Sequence, residues 1–108
     1  MAMSFQDACK IVLMRHKLFD LRDKAPDAQI PAIDAQLARL RPYAQEAADL
    51  VMKQTDANFA AVAKSLSAQI KPINDAITNI KKISAAIAAA AQIISAILSA
   101  VGAVTGVP

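Results

Sequence analysis

No charged side chain occurs in residues 83–108 of this chain, which read ISAAIAAAAQIISAILSAVGAVTGVP. A helix of about 20 apolar residues is long enough to cross the hydrocarbon core of a bilayer. The same pattern is also found in the core helix of a soluble bundle and in a helix that lines a pore. What the chain can fold into therefore depends on which of these environments takes up its C-terminal segment.

The composition of the whole chain favours an all-α fold. Hydrophobic residues make up 56% of the 108 residues, largely as Ala and Ile, and aromatic residues make up 4%. Ala has the highest helix propensity, and the only two Gly residues lie near the C-terminus. We expect a single domain of long amphipathic helices, arranged as a helical hairpin or an elongated bundle, with an uncharged Ala/Ile-rich C-terminal helix.

The N-terminal part is predicted to form one helix within residues 1–25, running to about Lys24. Ser4 and Asp7 have the spacing of an N-terminal capping pair. One face of the helix carries the stripe Phe5, Cys9, Val12, His16 and Phe19. Further apolar residues lie outside this stripe, so we expect the helix to contact more than one neighbour. Its apolar runs are too short for a Sec signal peptide.

Prolines divide the remainder of the chain. Pro26 and Pro31 flank a predicted turn at residues 26–31, and residues 32–82 are predicted to be amphipathic helices that kink or break at Pro42 and Pro72. The first of these helices has heptad-like apolar spacing, as in a coiled coil, at Ile33, Leu37, Leu40, Ala44, Ala47 and Val51.

A second apolar stripe begins at Phe59 and keeps its phase across Pro72, which favours a kinked, nearly continuous helix. A helix over residues 43–101 would be about 90 Å long and would need an oligomer or a membrane around it. The stripe is therefore predicted to form the seam of a homo-oligomer through Leu66, Ile70, Ile73, Ile77 and Ile80.

Residues 83–107 separate into two faces when they are placed on a helical wheel. The bulky, branched face is predicted to contact lipid and consists of Ile83, Ile87, Ile94, Ile97, Leu98 and Val101. The small, mildly polar face is predicted to contact other helices or a lumen and consists of Ser84, Ala88, Gln92, Ser95, Ser99, Gly102 and Gly106. Gly102 and Gly106 form a GxxxG pair, which lets helix backbones approach closely. The alternative is a soluble core helix with its isoleucines turned inward.

The hydrophobicity of this segment lies near the threshold for insertion. Its Ile, Leu and Val residues contribute about −3 to −5 kcal/mol in total, at about −0.3 to −0.6 kcal/mol each. The serines, the glutamine, the threonine and the glycines oppose this term. A segment close to balance is expected to stay soluble when packed and to insert when a membrane is offered.

The charge distribution points to an anionic membrane surface. The net charge is +3, and after residue 56 the basic residues Lys64, Lys71, Lys81 and Lys82 face only Asp75. Lys81 and Lys82 directly precede the uncharged segment, where they are predicted to contact anionic lipid. Nucleic-acid binding is disfavoured because these lysines come with neither stacking aromatics nor arginine.

The sequence contains no recognisable catalytic constellation. His16 is the only histidine, expected to be packed in the core, and Cys9 lies about 10 Å from it along the helix. That spacing is too long for a nucleophile and its base, and one His with one Cys does not supply a metal site. The charged residues around Asp20 and Asp23 indicate a solvated face. We therefore expect no enzymatic activity, no cofactor, no metal and no small-molecule substrate.

Long amphipathic helices beside one uncharged segment resemble the pattern of helical pore-forming toxins and secretion-system translocators. This resemblance rests on the pattern, and it assigns no role to any residue. The predicted function is that of a non-enzymatic, membrane-associated protein that oligomerises and inserts or anchors through its C-terminal helix, with pore formation or translocation as the implied activity. The alternative is a soluble homo-oligomeric scaffold or interaction protein, cytoplasmic or exported without a Sec signal peptide.

Overall fold

The computed structural model describes the backbone of residues 3–105 and the side chains of residues 3–101. Its helices are α1 (Phe5–Lys24), α2 (Ile30–Met52), α3 (Asp56–Ser65), α4 (Lys71–Thr78) and α5 (Ile83–Thr105). Short 3-10 turns at Asp27–Gln29 and Ile80–Lys82 precede α2 and α5. Strands are absent from residues 3–105, and the predicted all-α class with an apolar C-terminal helix is confirmed.

Helix α1 begins and ends where the sequence predicts. The Ser4 hydroxyl accepts a hydrogen bond from the Asp7 backbone N–H at 3.1 Å and donates one to the Asp7 carboxylate at 2.9 Å. This cap satisfies one of the N–H groups that the first turn of a helix leaves without a partner. At the other end, Ala25 is extended, as expected for a residue that precedes a proline.

Helix α1 lies at the centre of the bundle, where it contacts α2, α3, α4 and α5. The prediction that it meets more than one neighbour is therefore confirmed. Its fully buried large side chains are Ile11, Met14, Leu18 and Leu21, spaced 3, 4 and 3 residues apart. These residues are more aliphatic than the predicted stripe, which explains why they form the core face.

The predicted stripe from Phe5 to Phe19 lies partly outside the core. Cys9 is buried, but Val12 is half-buried and His16 and Phe19 are exposed. The expectation that His16 is packed in the core is thus wrong. An imidazole is more easily hydrated than an aliphatic chain, and the turn of the helix that buries Leu18 leaves His16 facing solvent.

Helix α2 buries the predicted stripe in the predicted register. Ile33, Leu37, Leu40 and Ala47 are buried, and Ala44 and Val51 are half-buried. Pro42 lies inside the helix on its exposed side, and the helix continues through it to Met52. The helix therefore does not break at this proline, and α2 tolerates the missing backbone donor without ending.

The prediction of a nearly continuous helix over residues 43–101 is wrong. The backbone leaves the helix after Met52 and after Ser65, and Asn79 is extended at φ −139° and ψ 96°. Pro72 lies in the first turn of α4, where its missing N–H is not needed, so this proline starts a helix. The resulting body measures 38 × 32 × 20 Å.

The apolar phase survives across Pro72 because the intervening turns are nearly helical. Leu66 has φ −95° and ψ −1°, and Ile70 has φ −87° and ψ −2°. The Ile70 N–H also donates to the Leu66 carbonyl at 3.0 Å. Both side chains are buried, so an interrupted backbone presents the same face to the core that an unbroken helix would.

A cavity in α1 should destabilise the whole bundle, since every other helix packs against it. Leu18 is fully buried, and Leu18→Ala should lower the free energy of unfolding by about 2–5 kcal/mol in urea titrations. Met52 is 83% exposed, and Met52→Ala should change it by less than about 0.5 kcal/mol. Similar losses for the two variants would contradict the central position of α1.

Candidate functional site: the C-terminal apolar helix

One helix in the described part of the chain is long and apolar enough to cross a membrane. The stretch Ile80–Val101 has a mean hydropathy of 1.9. Of an 18-residue apolar window within this stretch, 28% is buried in the bundle. The helix meets the criterion for a membrane span by length and composition alone, and the core helix of a soluble protein can meet the same criterion. The packing of α5 in the bundle therefore says more about the environment of this helix than its hydropathy does.

The bulky face of α5 is turned toward the bundle. Of the residues predicted to face lipid, Ile83, Ile94, Ile97 and Val101 are buried, and Ile87 and Leu98 are half-buried against the core. Ala86 and Ala90 complete the buried stripe and bring α5 close to its neighbours α1, α2 and α4. In this conformation protein covers Ile83, Ile94 and Ile97, so lipid can reach these three only if α5 separates from the bundle.

The opposite face of α5 is exposed, uncharged and made of small residues. Ser84, Ala88, Gln92, Ser95 and Ser99 are all exposed, as are Ala85, Ala96 and Ala100 between them. The surroundings of Gly102 and the placement of Gly106 lie outside the described residues, and so does the predicted GxxxG pair. None of the described side chains on the solvated surface of α5 carries a charge.

Arg39 ties α2 to the small-residue face of α5. Its guanidinium donates to the Ser95 hydroxyl at 2.8 Å and to the Ala91 carbonyl at 3.3 Å, and the Gln36 side chain accepts a further bond at 2.9 Å. Sequence reasoning missed this residue, because its partners on α5 lie more than fifty positions away and no local pattern predicts them. Arg39 makes a polar contact that α5 would have to break in order to leave.

The residues predicted to form an oligomer seam are covered within a single chain. Leu66, Ile70 and Ile73 are buried, and Ile77 and Ile80 are half-buried against the same core. Helix α4 packs on α5 and α1, which supply the apolar cover. A seam between subunits through these residues would require the bundle to open.

A lysine-rich cleft of about 520 Å³ lies where α4 meets the start of α5. Lys81 and Lys82 line it together with Lys71 and Asp75, and both are exposed. Lys71 donates to the Asp75 carboxylate at 2.8 Å, and this bond lowers the pKa of Asp75. Three ammonium groups and one carboxylate give the cleft a net positive charge at the N-terminal end of the apolar helix.

The groups that could carry chemistry are not assembled. Among the residues that the structure describes, no cluster of three His, Cys, Asp or Glu side chains could hold a metal ion. Cys9 is buried and His16 is exposed. Asp20 and Asp23 are exposed as predicted, but the ion pair of this region joins Arg22 to Asp34 on α2.

No protein family, curated protein or solved structure matches the chain. The likeness to pore-forming toxins and translocators thus remains a likeness of sequence pattern.

The link from α2 to α5 can be measured by a double-mutant cycle. Arg39→Ala and Ser95→Ala should be coupled by about 0.5–1 kcal/mol in the free energy of unfolding, because each variant removes the same charged hydrogen bond. Arg39→Ala should be the more damaging change, since it also removes the donor to Ala91. Additive effects of the two substitutions would rule out the contact, and Ser99→Ala, one turn further along α5, serves as the uncoupled control.

Cys9 should be protected from alkylation while the bundle is folded. Burial excludes the reagent and raises the pKa of the Cys9 thiol, so the reactive thiolate is scarcer in the folded protein than in the unfolded chain. Iodoacetamide should react at least about a hundredfold more slowly in native buffer than in urea. The chain has one cysteine, so mass spectrometry gives an unambiguous readout. Equal rates in the two conditions would contradict the burial of this part of α1.

Proposed function

We propose that this protein binds membranes conditionally: it is a closed bundle in water, and α5 enters the bilayer after separating from α1, α2 and α4. The observation that carries the proposal is the combination of an uncharged helix of spanning length with shallow burial. Only 28% of the apolar window in Ile80–Val101 is buried, although its mean hydropathy is 1.9. Most of the helix is thus already at the surface of the protein.

The energetics of α5 favour a closed state in water and an open state at a membrane. Releasing α5 into water would expose Ile83, Ile94, Ile97 and Val101, at about 1.5–3 kcal/mol for each large aliphatic side chain. A bilayer buries the same side chains again and largely removes this cost. The polar bonds of Arg39 to α5 remain as the barrier to release.

The lysine-rich cleft supports an anionic bilayer as the target. Lys81 and Lys82 are exposed at the start of α5, and each basic residue near an anionic surface contributes about 1 kcal/mol. They would hold the N-terminal end of α5 at the headgroups while the uncharged segment enters the acyl chains. Membrane association through lipid contact is therefore the localisation that we propose.

Oligomerisation in the bilayer is part of the proposal. Once α5 has separated, its bulky face contacts lipid and its face of Ser84, Ala88, Gln92, Ser95 and Ser99 is available to other copies. Small residues let helices pack closely in lipid, and the hydroxyl and amide groups can hydrogen-bond across helices or line water. A homo-oligomeric pore or translocation channel would use this face.

The second candidate function is that of a soluble homo-oligomeric scaffold or interaction protein. The observation that favours it is the exposed, uncharged face of α5, which in the closed bundle already presents small residues such as Ala85, Ala88 and Ala96 to solvent. Helices of other subunits could pack there with the bundle intact. The two functions differ in whether α5 leaves the bundle.

Vesicle flotation tests the proposed function. The wild-type chain should float with vesicles that contain phosphatidylglycerol, and Arg39→Ala should float more, because it weakens the closed state. The double variant Lys81→Gln/Lys82→Gln should bind about tenfold or more weakly, since it removes the charges next to α5. The matched control Lys53→Gln/Lys64→Gln removes two exposed lysines elsewhere and should weaken binding less.

The outcome decides between the two candidate functions. Failure of both the wild-type chain and Arg39→Ala to float would overturn the membrane proposal. A monodisperse oligomer in detergent-free sedimentation would then support the scaffold. Equal losses for the two lysine pairs would show general charge attraction and remove the role proposed for Lys81 and Lys82.

A further inference from the structure

A second basic concavity lies on the hairpin of α1 and α2. It has a volume of about 310 Å³ and is lined by Arg15, Phe19, Arg22, Asp34, Leu37 and Arg41. The short connection at Asp27–Gln29 makes the two helices antiparallel, so Arg22 lies opposite Asp34 and Arg15 lies in the same cavity as Arg41. We call it the arginine cavity.

The charges in the arginine cavity do not balance. Arg22 Nε donates to Asp34 Oδ1 at 2.8 Å, and this bond raises the pKa of Arg22. Arg15 and Arg41 form no ion pair with any side chain in residues 3–101. Three guanidinium groups and one carboxylate line the concavity, and the Asp23 carboxylate nearby also acts on Arg22, so the cavity keeps a net positive charge.

Contacts with neighbouring side chains position two of the guanidinium groups in the arginine cavity. The Arg15 guanidinium carbon lies 5.5 Å from the centre of the Phe19 ring, a cation–π contact on α1. Leu37 is buried and forms an apolar floor between the helices. Asp34 fixes one edge of the Arg22 guanidinium and leaves its other N–H groups available.

We propose that the arginine cavity binds a phosphate dianion, either free or as the terminal phosphomonoester of a larger molecule such as a lipid headgroup. Guanidinium groups bind phosphate oxygens through paired hydrogen bonds, and Arg15 and Arg41 approach from opposite helices. A phosphate dianion offers these guanidinium groups more charge and more acceptor oxygens than a carboxylate, which supplies one charge and two oxygens. The site lies on the α1–α2 hairpin, away from the lysine-rich cleft, and goes beyond the proposed function of α5.

Titration with inorganic phosphate tests the site on the full chain. Phosphate should bind in isothermal titration calorimetry and raise the melting temperature, while acetate at equal ionic strength should do neither. Arg15→Gln and Arg41→Gln should each weaken phosphate binding at least about tenfold, because each removes a charged hydrogen-bond donor. Lys53→Gln removes the same charge from an exposed position at the end of α2 and should change the affinity less than about twofold.

The variant Arg41→Lys separates recognition from simple attraction. It keeps the positive charge but loses the planar fork, so it should also weaken phosphate binding clearly. An affinity equal to that of the wild-type chain would overturn the site, as would an equal loss in Lys53→Gln. Circular dichroism of each variant shows whether the bundle is intact, and the comparison uses only folded variants.

Vesicles distinguish a lipid headgroup from free phosphate. Phosphatidic acid carries a terminal phosphomonoester, and phosphatidylglycerol at matched surface charge does not. A preference for phosphatidic acid that Arg15→Gln and Arg41→Gln abolish, without binding of free phosphate, would assign the site to a lipid headgroup. Arginine-dependent binding of free phosphate would assign it to a soluble ligand.

The proposal is overturned if neither free phosphate nor phosphatidic acid responds to the arginine variants. That result would leave the membrane role of α5 untouched, because flotation with phosphatidylglycerol depends on Lys81 and Lys82.

Discussion

The burial of α1 among the other four helices organises this protein. Its aliphatic side chains, including Ile11, Met14 and Leu18, are fully excluded from water, and α2, α3, α4 and α5 each contact it. A central helix of this kind lets each neighbour cover one apolar stripe and leave its other face to solvent. The docking of α5 is a consequence, since its isoleucines are covered only while α1, α2 and α4 remain in place around them.

Helix α5 combines features that are usually found in separate classes of helix. Its buried stripe is that of a core helix, and its lack of charge over Ile83–Thr105 is that of a membrane segment. The side chains of its exposed face are small and weakly polar. They carry no charge that would oppose insertion into lipid, and they offer little apolar surface that would favour it. The closed bundle and the inserted helix therefore compete for the same isoleucines, and contacts such as those of Arg39 influence the balance between them.

Local chemistry made part of the fold predictable from the sequence. The Ser4 cap, the end of α1 before Pro26 and the stripe of α2 from Ile33 depend on neighbouring residues, so they can be read from spacing. Pro72 was misleading because a proline has opposite effects in the first turn and in the interior of a helix. The near-helical turns at Leu66 and Ile70 preserved the apolar phase and concealed the break.

The candidate sites were less predictable than the helices. The faces of α5 could be separated by periodicity, but the sequence did not settle whether the bulky face contacts protein or lipid. Arg39 and the arginine cavity depend on helices that are distant in sequence or paired through a turn, and a helical wheel shows only one helix at a time. The choice of core face in α1 depended on competition between two apolar stripes, and the more aliphatic one prevailed.

The shortness of α4 has a consequence for how far α5 can travel. Lys71–Thr78 is 8 residues long, whereas isolated helices shorter than about 12–15 residues are marginal in water. Helix α4 packs mainly on α5, so separation of α5 would also melt α4, and the amides of α4 would then exchange with solvent. Residues 66–82 would then become a tether that spans up to about 55 Å when extended. The α1–α2 hairpin could remain folded at that distance from a bilayer that has taken up α5.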